Sequence, residues 1–215
     1  MVNGRGRSHV TTQEITTAEE LTELLGTPKQ RARDKERQVL HARDREWLAA
    51  SPFCLVATAD ADGGCDVSPK GDPPGFTLVL DDTTIAIPER PGNRRADGYR
   101  NILANPHVGL IYLIPGRTDT LRINGRARLV RDAPWFDDMV VRGHRPVLAV
   151  EVAIEQIFYH CAKAFLRSEL WQPGTWRPDA LPSRARLVKE VEAPTENLAD
   201  LERHYGPDYA KTIYV

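Results

Sequence analysis

Long apolar runs are absent from this 215-residue chain. None approaches the roughly 18 residues of a membrane span, so no membrane partner is expected. Cysteine is scarce as well. There are 3, Cys54, Cys65 and Cys161, an odd number without CxxC spacing. That argues against a disulfide framework and for a cytoplasmic protein in a reducing compartment. Cys54 lies in an apolar run and reads as a buried thiol. Charge of one sign is lacking too. The 29 Lys and Arg against 30 Asp and Glu leave a formal net charge of -1, which speaks against a nucleic-acid partner. The N-terminal MVNGRGRSHVTTQE carries basic residues with no apolar block behind them, so it does not read as a secretory signal. There is no GxGxxG, no GxxxxGK[ST] and no GxSxG, which removes the Rossmann, P-loop and nucleophile-elbow chemistries. His160 and Cys161 are neighbours, but no second pair has ligand spacing, and no metal site is expected.

Hydrophobic residues make up 41% of the chain, enough for one sizeable core. The first ten or so residues are polar and expected to be loose. Thr17-Ala18-Glu19-Glu20 reads as a capping box opening a short helix through Leu25, which Gly26 ends. Pro28 then predicts the first position of a second helix, running to Ser51 with a sparse apolar stripe of Val39, Leu40, Trp47 and Leu48. From Ser51 the periodicity becomes that of strands. Seven are predicted: Phe53 to Thr58, Cys65 to Ser68, Phe76 to Leu80, Thr84 to Ile87, His107 to Leu113, Thr120 to Val130 and Val147 to Phe158. Their lengths and hairpin turns argue a closed antiparallel sheet. Helices are expected at about Arg95 to Ala104, over DAPWFDDMVVRG with Asp132 as cap, at about His160 to Leu170, and in the amphipathic tail segment LADLERHYG.

Four stretches carry candidate chemistry. In IPERPGNRRADG, Asn93, Arg94 and Arg95 open a helix, where free backbone N–H groups and guanidinium forks suit a phosphate. Adjacent arginines at such a junction are also commonly plain solvated surface. In DVSPKGD, Ser68 and Lys70 are two apart and share a strand face. They could meet a phosphate or a flavin edge, or be an ordinary strand exit. In DTLRINGRARLV, Arg122 and Arg126 flank Asn124-Gly125, a glycine that marks either a close approach or a bend. In YHCAKAFLRSELW, Lys163 and Arg167 share a helix face with Trp171 following, a stripe fit to cover a flat aromatic cofactor or simply to pack on the core.

Taken together, PGNRRADGYRNILANPHVGLIYL, Lys70-Gly71 and Thr120-Leu121-Arg122-Ile123-Asn124-Gly125 resemble the flavin-binding segments of pyridoxamine 5'-phosphate oxidase-like split-barrel proteins, in the family's order. The resemblance implies a mainly β, α+β fold with an antiparallel split β-barrel of the FMN-binding type. It divides the chain into a helical extension (1–50) packed on the barrel, the barrel itself (51–171) and a tail with a short helix (172–215). It further implies a homodimer with FMN at the interface. Asn93, Arg94 and Arg95 would hold the phosphate, with Lys70 and the strand at Asp66, Val67 and Ser68 near phosphate or ring. Thr120 would reach the flavin from its strand, and Lys163, Arg167 and Trp171 would close the site from the other chain. The family's vitamin B6 oxidases have arginine in place of Cys65 and two aliphatic residues in place of Ser68-Pro69, which points to a different branch. The expected function is an FMN-dependent oxidoreductase acting on a small substrate, with no catalytic side chain named, since the flavin carries the redox step. The alternatives are a non-catalytic flavin or haem binding or storage protein, and a deazaflavin-dependent reductase.

Overall fold

The computed structural model describes residues 12–214, in two units divided between Lys35 and Glu36. The expectation of a loose first ten residues lies outside the described residues. In the first unit, helix α1 (Ala18–Leu25) opens with the capping box read from the sequence: the Glu20 N–H donates to Thr17 Oγ1 at 3.2 Å, and the Glu20 carboxylate accepts the Thr17 N–H at 3.4 Å. Gly26, at φ +77, ends it in a conformation that favours glycine.

The second helix departs from expectation. It is two short helices, α2 (Gln30–Arg33) in the first unit and α3 (Ala42–Ala50) in the second, and Pro28 stands ahead of α2. Two bonds compete with a continuous helix. Arg37 exchanges backbone hydrogen bonds with Ile157, at 3.0 and 2.7 Å, on a stretch of sheet edge with no strand beside it. His41 then caps α3, its Nδ1 accepting the Arg43 N–H at 3.1 Å while Asp44 accepts the His41 N–H at 2.7 Å. Arg37 and the fully buried Asp44 form an ion pair, with Arg37 Nη2 3.0 Å from Asp44 Oδ1.

The sheet has seven antiparallel strands: β1 (Phe53–Ala59), β2 (Cys65–Gly71), β3 (Leu78–Val79), β4 (Thr84–Glu89), β5 (His107–Leu113), β6 (Thr120–Val130) and β7 (Leu148–His160). Their order is β2-β1-β5-β6-β7-β4-β3, so β2 and β3 are edges and the sheet is not closed by a ladder. The prediction of a closed sheet is corrected here, while the antiparallel split-barrel architecture stands. Alternation fixes two faces. Cys54 and Val56 of β1, Leu110 and Tyr112 of β5, and Leu121 and Ile123 of β6 point into the core. Register places Asp66, Ser68 and Lys70 of β2 on that same inner face, opposite Thr58, Val56 and Cys54. A bulge falls between Asn124 and Gly125, where a Cβ on Gly125 would lie 2.1 Å from the Ala153 carbonyl oxygen, so the glycine marks a close approach.

The split lies between β2 and β4. Strand β3 reaches only as far as Ala86, leaving Ile87 to Glu89 without a strand on that side. Side chains span the gap instead: Lys70 meets Glu89 at 2.6 Å, and Asp72 meets Arg90 at 2.6 Å. Helix α4 (Asp97–Ala104) packs over β1 and β2. The expected helix after Asp132 is a 3-10 turn, Pro134–Met139, without a side-chain cap. Asp132 pairs with Arg145 instead, at 2.6 Å. Helix α5 is Lys163–Ser168, shorter than expected because β7 continues through His160. In the tail, α6 (Arg184–Leu187) and α7 (Leu198–His204) bury Ala185, Val188 and Leu201 together. No described helix is long and apolar enough to cross a membrane.

Candidate functional site

A cavity of about 480 Å³ opens between β2, the end of β4 and the first turn of α4. Its apolar floor is Val56, Ile87, Ile102 and Val150, and its polar wall comes from β2 and from the loop before α4. Asp66, Val67, Ser68, Lys70, Asn93, Arg94 and Arg95 all line it, so two of the sequence-predicted stretches converge on one place.

The loop from Arg90 to Ala96 owes its shape to local bonds. Asn93 Oδ1 accepts the Arg95 N–H at 3.0 Å, an Asx-type turn. Arg94 (φ 60) and Ala96 (φ 58) both take left-handed backbone conformations, which cost a side-chain-bearing residue about 1 kcal/mol each. Ala96 is the N-cap of α4 and offers no side-chain cap. The two arginines differ. Both are exposed, but Arg95 pairs with Asp97, which also faces Arg100 at 3.6 Å. Arg94 lines the cavity and has no ion-pair partner among the described residues.

Lys70 sits on the inner face of β2. Its ammonium donates to Glu89 Oε2 at 2.6 Å and to the Tyr99 hydroxyl at 2.7 Å, and lies 4.8 Å from the centre of the Tyr99 ring. Burial, and then the hydrogen bond and charge of Glu89, push the Tyr99 hydroxyl far above its ordinary pKa, so it stays protonated. Beside this cluster, the Ser68 hydroxyl donates to Asp66 Oδ2 at 2.8 Å, and Asn101 Nδ2 donates to Thr58 Oγ1 at 3.1 Å. Gly98 lets the first turn of α4 come down on this wall: a Cβ there would lie 3.1 Å from Asp66 Oδ2. Glu89, Tyr99, Asp97 and Thr58 line the cavity and were missed by the sequence reading, as was Asn101, which holds Thr58. Glu89 and Tyr99 flank the Asn93 to Arg95 stretch, but nothing in a strand end or a helix face announces that they meet Lys70.

Thr120, Lys163, Arg167 and Trp171 do not line this cavity. Thr120 is buried at the start of β6, opposite His160. Trp171 donates its indole N–H to the Arg117 carbonyl at 2.6 Å and stacks on Phe165, ring centres 6.1 Å apart. Lys163 and Arg167 are exposed on α5. Arg122 is on the outer face of the sheet, its guanidinium 5.1 Å from the Phe158 ring centre and its buried Nε without a partner. Among the described residues no group of three or more His, Cys, Asp or Glu could hold a metal. Cys54 is fully buried, and burial pushes its thiol up to about 12, which leaves it unreactive.

The pyridoxamine 5'-phosphate oxidase family model matches residues 40–161, more than half of the chain. No curated protein matches it. Among solved structures, Group A Streptococcus HupZ is 19% identical, with 56% of this chain and 93% of that chain covered and a TM-score of 0.45. A general stress protein 26-related protein of the pyridoxinephosphate oxidase family from Clostridium acetobutylicum is 14% identical over 55% of this chain and 85% of that one, with a TM-score of 0.42. An F420 reductase is 20% identical over 54% and 94%, with a TM-score of 0.38. With the family model spanning the strands, the β2 wall and the Asn93 to Arg95 loop, the chain belongs to the pyridoxamine 5'-phosphate oxidase family.

Proposed function

We propose that the cavity under α4 holds FMN and that the protein is an FMN-dependent oxidoreductase acting on a small substrate. The observation that carries this reading is the convergence of seven candidate residues on one cavity, with the exposed Arg94 at its edge. Arg94, Arg95 and the backbone N–H groups before α4 hold the phosphate. Lys70 contributes a third positive charge near it. Asp66 and Ser68 offer acceptors and donors to hydroxyl groups, and the apolar floor suits a flat ring. A bound flavin would supply hydride and electron transfer, and the chain's residues supply position, charge and exclusion of water.

The second group, Lys163, Arg167 and Trp171, serves a neighbouring copy's site in a homodimer on this reading, whereas Thr120 is buried within its own chain. Register places Phe53, Leu55, Ile111 and Arg122 on the outer face of the sheet, with the exposed Val67 opposite Ala57. Apolar side chains around a buried guanidinium nitrogen that lacks an acceptor make a surface suited to a second chain. The protein works in the cytoplasm on this reading.

The visible absorption spectrum of the purified protein, before and after FMN addition and desalting, tests the cofactor. Retained flavin bands are expected. A protein that stays colourless after FMN addition overturns the reading, and tighter deazaflavin than FMN binding in competition would favour a deazaflavin-dependent reductase instead. Reduction of the bound flavin by NAD(P)H separates an enzyme from a flavin store.

A further inference from the structure

The cavity is lined by three cations, Lys70, Arg94 and Arg95, and by three carboxylates, Asp66, Glu89 and Asp97. A wall with equal numbers of each sign has no surplus field for an anion. The charges are not equally committed. Arg95 is held by Asp97 near the surface, Arg94 has no ion-pair partner, and Lys70 is held tightly in the interior. The Lys70 and Glu89 side chains are 17% and 21% exposed, so their attraction is screened far less than that of a surface pair.

We propose that Glu89 is an internal competitor for Lys70, and that a ligand's phosphate takes the ammonium only by displacing this carboxylate. The inference rests on the reading of the cavity as a flavin phosphate site. It assigns Glu89 the role of selecting the anion. A singly charged carboxylate or sulfonate gains nothing by replacing one carboxylate with another. A phosphate dianion brings a second charge, to which the unpaired Arg94 can answer, so exchange favours it. Tyr99 makes the exchange feasible. Its hydroxyl is a neighbour of both Lys70 and Glu89, so a Glu89 carboxylate released by the lysine keeps a hydrogen-bond donor. Without that donor the released carboxylate would stand half-buried and unpartnered, a costly state.

Calorimetric titration of the wild type and of Glu89→Gln with FMN and with riboflavin tests this. The glutamine keeps shape and removes the competing charge. The FMN-to-riboflavin affinity ratio should rise about tenfold, the size of one ordinary charge coupling in a half-buried site. Tyr99→Phe should move the ratio the other way, lowering it several-fold, and keeps the test open should Glu89→Gln not fold. An unchanged or lower ratio in Glu89→Gln overturns the proposal, as does equal tightening of both flavins, which would place Lys70 against the ring. If neither protein binds FMN, the flavin reading fails separately. Inorganic phosphate then remains the probe: tighter phosphate in Glu89→Gln than in the wild type upholds the competition, and equal affinity refutes it.

Discussion

Asp72, one residue past the end of β2, and Arg90, one residue past the end of β4, meet across the split with Nε 2.6 Å from Oδ2 and side chains only 2% and 11% exposed. Each of the three guanidinium nitrogens donates a hydrogen bond. The guanidinium also donates to the Met139 carbonyl at 2.7 Å and to the His144 carbonyl at 3.0 Å, while the Tyr214 hydroxyl donates to Asp72. This cluster anchors the base of the loop that carries Arg94. Arg90→Ala would strand a buried carboxylate and two carbonyls. It should lower stability by about 3 kcal/mol, or roughly 10 °C in melting temperature, measured by thermal denaturation. A loss under about 1 kcal/mol would show that the split is held elsewhere.

The arginines of the loop should behave differently. Replacing Arg94 and Arg95 together by Ala removes two groups that serve a ligand and bury little, so far-UV circular dichroism should not change. Flavin retention through desalting should be lost, since each charge-assisted contact contributes about 1.5 kcal/mol or more. Retention of flavin by the double variant would remove the phosphate assignment.

Asp44 sets an acid limit on the second unit. Its burial disfavours the charge, but the hydrogen bonds from Arg37, His41 N–H and Tyr159 outweigh that and hold the carboxyl below the usual range. Its folded pKa therefore lies below the unfolded value of about 3.9. The stabilisation is complete above that value and is lost as pH falls through the folded pKa. In urea denaturation the gap between wild type and Asp44→Asn should be constant from neutral pH to about 5 and should shrink below about 4. A gap independent of pH would contradict the ion pair's role.

Gly125 tolerates no side chain. Its Cβ would collide with the backbone of Ala153 on β7, an atom that cannot swing aside. Gly125→Ala should destabilise by about 2 kcal/mol, with Ala127, which faces the core on the same strand, as a reference position for Gly. Equal stability of Gly125→Ala and wild type would mean that the bulge relaxes freely.

The strands were legible because their pattern is local. Alternation at Cys54, Val56 and Thr58 marks β1 from the sequence, and Asp62-Gly63-Gly64 sets the turn to β2. The loop arginines were legible through their position at a helix start. The break at Arg37 was not, because it depends on an unpaired edge of β7 more than one hundred residues away. Helix-friendly residues there give no sign of it. The Lys70–Glu89–Tyr99 cluster was hidden for the same reason: it exists only once β2 and β4 face each other across a gap that no ladder closes. Asp132 misled because its side chain had an arginine to reach, which it prefers to a helix N–H.

Arg94 at φ 60 also bears on how this chain could be improved as a material. Glycine would adopt that backbone without strain and should leave the fold slightly more robust. Any laboratory selection for heat resistance alone would therefore drift toward glycine at position 94 and discard the cation. A selection that also demands ligand retention would hold the arginine in place, so this one position reads out which pressure is acting.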